Sequence, residues 1–179
     1  MTLRKIARLG QPVLLNRAVP VADPEQADVQ ALIDDMLETM VDAEGIGLAA
    51  PQVYVGLRVI VAMELRDRSE VGTAPVRVLL NPALVPLGDE TEMAYEGCLS
   101  IPELRGLVPR ARRVGYRGLD RHGRPVEGEA EGLFARVLQH EVDHIDGVLF
   151  PMRMRDLRHL AFTSELRHHE RWLTAEERR

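Results

Sequence analysis

The spacing of apolar residues predicts one long amphipathic helix near the N-terminus. Residues 1–22 are predicted to be irregular, apart from a short helical turn at 11–15. Asp23 followed by Pro24 predicts the start of the helix, and Gly45 its end. Between them apolar residues recur at the i, i+3, i+4 spacing of a helix with one buried face: Val29, Leu32, Ile33, Met36, Leu37, Met40 and Val41.

The middle of the chain, from 57 to 132, is predicted to form mainly strands. Segments rich in β-branched residues predict strands at 57–65 and 76–80, and Asn81-Pro82 predicts a turn into an extended segment at 83–93. Further strands are predicted at 104–108, 112–118 and 124–132, with the turn of a hairpin at 120–123.

A second helical stripe is formed by Leu133, Val137, His140 and His144. It predicts a helix at about 133–146 that begins apolar and ends in two histidines at the edge of a core. A last helix is predicted at 155–173, followed by a frayed tail at 173–179. We therefore predict an α+β fold: a single compact domain over residues 1–179, with antiparallel β-sheets around a central metal-binding helix.

Composition narrows the classes of protein. The length of 179 residues and the 45% share of hydrophobic residues fit one globular domain. A net charge of −5 argues against DNA as a partner. We expect no membrane association, because no apolar run reaches membrane-spanning length, and no secretory signal is recognisable. The single cysteine, Cys98, fits a reducing compartment, so the cytoplasm is the expected location.

The sequence Gln139-His140-Glu141-Val142-Asp143-His144 carries the candidate chemistry. On a helix, His140 and His144 share one face and can bind one cation, while Glu141 lies close enough to handle protons on a metal-bound water. Two histidines at this spacing also occur by chance on helix surfaces. A third ligand therefore decides between a metal site and a coincidence.

Cys98 is one candidate for the third ligand, because it lies in a predicted loop flanked by Gly and Pro, beside Glu96, where a core residue is not expected. The alternative for a lone cysteine is a small buried core residue. One thiolate and two imidazoles would leave a fourth position open for water, as in catalytic sites. The metzincin pattern is excluded because Phe150 occupies the place of its third histidine.

Two alternatives to this site stay open. Glu165 or Glu170 could supply the third ligand of an HExxH zinc peptidase, since both lie on the predicted last helix. A non-catalytic metal-binding or structural protein is the third hypothesis, and it would have a closed fourth position.

Three stretches together resemble the signature motifs of bacterial peptide deformylases. They are Gly45-Ile46-Gly47-Leu48-Ala49-Ala50-Pro51-Gln52, Glu96-Gly97-Cys98-Leu99-Ser100 and the histidine stretch at 139–144. Their order and spacing are similar to those of the family, and the resemblance covers about residues 1–152. Gln11 departs from it, because an aspartate is expected before Pro12.

The resemblance implies a metallohydrolase that acts on a linear amide. It would remove the formyl group from N-formylmethionine at the start of newly made polypeptides and release formate. It implies one divalent metal, Fe²⁺ in the active form, with Zn²⁺, Ni²⁺ or Co²⁺ as possible substitutes. The implied metal ligands are Cys98, His140 and His144. Glu141 would be general base and then general acid, and the Gln52 amide and the Leu99 backbone N–H would bind the oxyanion.

The resemblance also implies the residues that contact the substrate: Ile46, Gly47, Gly97, Arg105, Leu133 and Val137. The backbones of Ile46 and Gly97 would pair with the peptide like an added strand. For each apolar member a core position is the alternative, and for Arg105 a solvated strand position. Asp143 is expected to pair with an arginine such as Arg112, and a plain charge on the helix surface is the alternative.

The expected partners are N-formylmethionyl nascent peptides. A transient contact with the ribosome surface, through Arg167-His168-His169, is a further hypothesis, and a solvated helix face is its alternative. We expect a monomer.

Overall fold

A computed structural model of the chain describes residues 2–169, which form two antiparallel sheets and three helices. The helices are α1 (Ala27–Asp42), α2 (Gly132–Ile145) and α3 (Leu166–His169). In chain order the strands are β1 (Gly47–Ala49), β2 (Val59–Met63), β3 (Val76–Pro86), β4 (Thr91–Cys98), β5 (Ile101–Ala111), β6 (Arg113–Leu119), β7 (Pro125–Glu131) and β8 (Leu160–Phe162).

The larger sheet has the order β1-β2-β3-β6-β7, and the smaller sheet has the order β4-β5-β8. Every pairing between these strands is antiparallel. Consequently β1 and β4 are both edge strands, and each leaves one side of its backbone without a strand partner in the described part of the chain. The predicted turn at 120–123 connects β6 to β7.

Helix α2 packs on the larger sheet and forms the centre of the molecule. Its Ala135, Leu138 and Ile145 are fully buried in one apolar cluster with Ile60 and Leu79 of the sheet. A fully buried Leu or Ile side chain contributes about 1.5–3 kcal/mol relative to an exposed one. This apolar face fixes α2 against the sheet, and the predicted α+β class with a central helix is confirmed.

Helix α1 packs on the core through the predicted stripe, but two details of the prediction are wrong. Val41 is 62% exposed although it was assigned to the apolar face. The helix begins at Ala27, later than Asp23-Pro24 predicted. The reason is that the Asp23 carboxylate accepts the N–H of Glu25 at 3.0 Å and so closes a local turn before the helix.

Asn81-Pro82 does not form the predicted turn. Strand β3 continues to Pro86 through a bulge, with Asn81 at a φ of 51°. The Asn81 side chain accepts the N–H of Val21 at 2.8 Å and donates to the Val21 carbonyl at 2.9 Å. A side-chain amide thus replaces a backbone pairing at the bulge, which lets the strand pass through a turn-forming sequence.

The predicted last helix is wrong over most of its described length. A 3₁₀ turn at Leu157–His159 leads into β8, which pairs with β5, and only α3 is helical. The backbone edge of β5 competes with a helix whose apolar face is short, and Leu157 stays 65% exposed. The part of the prediction at 170–179, including the tail, lies outside the described residues. Over the described residues, no helix has the length and apolarity needed to cross a membrane.

Candidate metal centre and active site

Cys98, His140 and His144 come together in the structure, although they lie on two distant segments of the chain. Their candidate ligand atoms all lie within 4.8 Å of one another, and all three residues are buried. The Cys98 sulfur is 3.2 Å from Nε2 of His144, and the two imidazole centroids are 5.0 Å apart. Three such atoms around one point can hold a divalent ion.

The secondary structure explains why Cys98, His140 and His144 lie close together. His140 and His144 are one turn apart on α2, so both rings project from the same face. Cys98 is the last residue of β4, rather than part of a loop as the sequence suggested. The chain reverses at Leu99-Ser100 into β5, with a register shift between Glu96 and Cys98. Strand β4 thereby brings the thiol to the histidine face of α2.

The surroundings of Cys98 favour a thiolate. Burial raises the pKa of the thiol, but the facing His144 and His140 rings outweigh it and hold the pKa well below its ordinary value. The sulfur is also 3.4 Å from the backbone N–H of Ser100 and 3.6 Å from the Gln52 side-chain amide nitrogen. Donors on several sides suit a deprotonated sulfur, which is the form that binds a metal.

Glu96 orients His140. Its Oε2 lies 2.9 Å from Nδ1 of His140, so the ring donates there and its Nε2 lone pair is free for a metal. Burial raises the pKa of Glu96, but the hydrogen bonds from His140 and Arg110 outweigh it and hold the pKa of this carboxyl well below its usual value. The sequence analysis did not assign this role to Glu96, although its place in the Cys98 motif was a signal.

An ionic network, buried except for Arg153, supports the Glu96–His140 pair. Arg110 donates to both oxygens of Glu96 at 2.9 Å and to Asp143 at 2.5 Å, and Arg153 binds Asp143 at 2.7 Å. Asp143 therefore pairs with arginine as expected, but its partners are Arg110 and Arg153 rather than Arg112. Arg112 is half-exposed and lies beside Glu90 and Glu131 instead.

Glu141 is buried next to the candidate ligands. Its Oε2 has no hydrogen-bond partner within the described chain, and burial raises the pKa of this carboxyl to about 7. A buried carboxyl oxygen without a partner is rare unless a water or an ion satisfies it. The donor set and this unpaired oxygen together fit a divalent metal ion with a water beside it.

Gln52 and Leu99 lie on either side of Cys98, and both line the site cavity. The Gln52 oxygen accepts the N–H of Ala49 at 2.8 Å, and its nitrogen is 3.2 Å from the Ser100 hydroxyl. This fixes the orientation of the amide, so that its N–H groups point towards Cys98. Leu99 follows Cys98 at the reversal from β4 to β5.

A cavity of about 720 Å³ opens beside these residues. Cys98, His140 and Glu141 line it, and so do all six residues expected to contact the substrate: Ile46, Gly47, Gly97, Arg105, Leu133 and Val137. The cavity is bordered by the edge strands β1 and β4, which carry Gly47 and Gly97. An extended peptide placed here would find strand edges on both sides.

Arg105 covers part of this cavity. Its guanidinium lies where a side chain at Gly97 would be, and it donates to the Leu104 carbonyl at 3.1 Å. The Ile46 carbonyl already accepts the N–H of Met63 at 2.9 Å, so this carbonyl is engaged within the protein.

Glu165, the alternative third ligand within the described residues, does not join the site. Glu165 is exposed in a 3₁₀ turn at Thr163–Glu165 and receives a hydrogen bond from Ser164. Glu170 lies outside the described residues. The candidate ligand group in the described chain is the cysteine and the two histidines.

Two histidines and a buried, unpaired carboxyl on an HExxH helix, joined by a cysteine from an adjacent strand, define a single-metal hydrolase. The chain belongs to the polypeptide deformylase family, whose sequence model matches residues 3–159. The predicted family and enzyme class are therefore confirmed, and the peptidase alternative is not favoured.

Individual relatives agree with the family match. The chain is 48% identical over 166 residues to peptide deformylase 1 of Bordetella pertussis, covering 92% of this chain and 94% of the relative. It is 55% identical over 137 residues to a peptide deformylase of Chromohalobacter salexigens, covering 76% and 77%. A crystal structure of the class I type b peptide deformylase from Acinetobacter baumannii superposes with a TM-score of 0.80 at 35% identity, covering 86% of this chain and 100% of the other.

Proposed function

We propose that this protein removes the formyl group from N-formylmethionine at the N-terminus of newly made polypeptides and releases formate. One observation carries the proposal: the Cys98/His140/His144 group lies against the unpaired, buried carboxyl of Glu141 in a cavity between two strand edges. Family membership supplies the reaction class.

Cys98, His140 and His144 would hold one divalent metal ion. Such an ion, when bound, supplies Lewis acidity that lowers the pKa of water from about 15.7 towards about 7. Glu96 keeps Nε2 of His140 available for the ion, and the donors around the Cys98 sulfur keep it deprotonated.

Glu141 handles the proton in this mechanism. Its carboxylate takes a proton from the attacking water and later delivers it to the amine of the departing methionine. A group that must first accept a proton and then donate it works best with a pKa near the working pH. Burial raises the pKa of Glu141 in that direction.

The Gln52 amide and the Leu99 backbone N–H would stabilise the oxyanion that forms on the formyl oxygen. Ala49 holds the Gln52 amide in a fixed orientation at 2.8 Å, so the donor is already aligned before the reaction. Preorganised donors of this kind typically contribute about 3–4 kcal/mol to lowering the barrier.

The substrate would bind along the cavity. Ile46, Leu133 and Val137 would contact the methionine side chain, because they supply the apolar part of the cavity wall. The backbones of Gly97, on the edge strand β4, and of Ile46, directly before the edge strand β1, would pair with the peptide like an added strand. Arg105 would then shift from its place over Gly97 or contact the peptide itself.

Fe²⁺ is the metal we propose for the active form, on the basis of the family resemblance. Zn²⁺, Ni²⁺ or Co²⁺ can occupy the same donor set. We further propose that the protein acts in the cytoplasm as a monomer on N-formylmethionyl nascent peptides, with a transient ribosome contact. Sedimentation of the purified protein alone tests the monomeric state, and sedimentation with ribosomes tests the ribosome contact.

A formate-release assay on a formyl-Met tripeptide, with anaerobically purified protein and metal analysis of the same sample, tests the proposed function. We expect activity in the unmodified protein and its loss in Cys98→Ala and Glu141→Ala. Glu165→Gln is the matched control and should retain activity, because Glu165 is exposed and outside the ligand group. Activity that survives Cys98→Ala but fails in Glu165→Gln would contradict the proposal.

A further inference from the structure

Arg136 connects α2 to both β4 and β5. Its Nη1 donates to Oε1 of Glu96 and to the Val108 carbonyl, each at 2.9 Å, and its Nη2 donates to the Glu92 carbonyl at 2.6 Å. The side chain is only 9% exposed, and the side chain of Glu96 is 5% exposed. A planar guanidinium can make these three bonds at once because its N–H groups have fixed directions.

The position of Arg136 gives these bonds a consequence for the metal site. Arg136 lies one helical turn before His140 on the same face of α2. Glu96, which it binds, is two residues before Cys98 on β4. Arg136 therefore adds a link between the two segments that carry the candidate ligands, beside the His140–Glu96 bond and the Arg110 bonds to Glu96 and Asp143.

The carboxylate of Glu96 is held by four hydrogen bonds. Oε1 accepts from Nε of Arg110 and from Nη1 of Arg136, and Oε2 accepts from Nη2 of Arg110 and from Nδ1 of His140. Without Arg136 the carboxylate loses one of its two arginine partners and its only arginine bond from α2. Arg110 alone then supports Glu96 and, through it, the orientation of the His140 ring.

We propose that Arg136 is a positioning residue for metal binding, which holds His140 through Glu96 and holds Cys98 through its bonds to β4. The proposal rests on the proposed function in one respect, namely that Cys98, His140 and His144 form the metal site. The side chain of Gln139, the neighbour of His140, binds the backbone of Ala111 on β5 at 3.0 and 2.9 Å and also donates to the Ala135 carbonyl of α2 at 3.0 Å. It anchors the helix without contacting Glu96.

Titration of the metal-free protein with Co²⁺ tests this inference. The affinity is measured by competition with a chelator, the ligand geometry by the visible absorption of bound Co²⁺, and the fold by the thermal midpoint of the metal-free protein. We expect Arg136→Met to bind Co²⁺ about 10–100-fold more weakly and to change the absorption bands. Arg136→Lys should have a Co²⁺ affinity between those of Arg136→Met and the unmodified protein, because one ammonium group cannot reach Glu96 and both carbonyls together.

Arg121→Met is the matched control. Arg121 is a partly buried arginine that binds Gln30 at 2.9 Å and Asp34 at 2.8 Å, and it does not line the site cavity. The Arg121→Met substitution should lower the thermal midpoint without changing the Co²⁺ affinity or the absorption spectrum of bound Co²⁺.

The outcomes are distinguishable. Arg136→Met with a lower thermal midpoint but unchanged Co²⁺ affinity and spectrum would show a purely structural arginine and overturn the inference. If Arg136→Met does not fold, wild-type affinity and spectrum in Arg136→Lys overturn it equally. Failure of the unmodified protein to bind Co²⁺ with a sulfur-to-metal absorption band would instead refute the metal site, and with it the proposed function.

Discussion

The carboxyl group of Glu141 occupies the space in which a side chain at residue 47 would begin. A Cβ built on Gly47 overlaps the Glu141 carboxylate, and the closest approach is to Oε1. Glycine is therefore required here by the proximity of β1 to α2, because Gly47 does not adopt a left-handed conformation. The relationship couples one signature stretch of the sequence to the candidate general base in another.

Gly47→Ala should displace Glu141 and reduce formate release about 100-fold, since a misplacement of about 1 Å can have that effect. The fold should persist, because the carboxyl can move into the cavity. Gly56→Ala is the control, as a Cβ there has no neighbour within 4 Å. Equal kcat values in the two variants would show that the contact has no functional role.

Glu141→Gln should lower kcat by about 10²–10⁴-fold, because an amide cannot accept the proton of the attacking water. Metal content should stay the same as in the unmodified protein, since Glu141 is not in the candidate ligand set. Simultaneous loss of metal would point to a ligand role for Glu141 instead.

The same substitution should change the pH dependence of stability in the metal-free protein. Burial raises the pKa of Glu141 from 4.5 to about 7, so the folded state binds more protons than the unfolded state between these values. The contribution of Glu141 to stability therefore falls as pH rises from 4.5 to 7, by at most about 3 kcal/mol. Urea unfolding of the metal-free proteins from pH 4.5 to 7 should show the free energy of unfolding of the unmodified protein falling relative to that of Glu141→Gln. Parallel curves for the two proteins would contradict it.

Gln52→Glu should lower kcat by about 10²–10³-fold with little change in KM. The glutamate retains an oxygen for the N–H of Ala49 but removes the donor to the oxyanion. Gln30→Glu is the control, because it also loses amide donors, to the carbonyls of Pro24 and Arg121, but far from the cavity. A drop in kcat of the same size in the control would refute the oxyanion role.

Removal of the metal by a chelator should abolish formate release and lower the thermal midpoint. An ion present at about a thousandfold its Kd contributes about 4 kcal/mol to stability, which corresponds to about 10 °C for a chain of this size. Cys98→Ser, which weakens the soft donor, should show a smaller shift or none. Readdition of Fe²⁺, Ni²⁺ or Co²⁺ should restore activity in the unmodified protein. A chelator-insensitive activity would exclude the metal site.

Local patterns in the sequence determined much of the fold. The period of the apolar residues placed α1 and α2, and strand-forming segments placed β2, β6 and β7 within two residues of their observed bounds. Strand β5 was located but extends three residues further at each end than the predicted 104–108. The i, i+4 spacing of His140 and His144 fixed their shared face, because helix geometry alone decides it. Such features depend on residues within a turn or two of each other.

Tertiary structure decided what depends on distant partners. The pairing of Glu96 with Arg110 and Arg136, the choice of Arg110 over Arg112 for Asp143, and the place of Cys98 at the end of an edge strand all join segments far apart in the chain. Strand β8 replaced a predicted helix for the same reason, since the free edge of β5 supplied its hydrogen-bond partners. The sequence by itself named the metal-binding residue types and the helix that holds two of them. Their convergence around one point depended on buried hydrogen bonds whose geometry exists only once the two sheets have packed against α2.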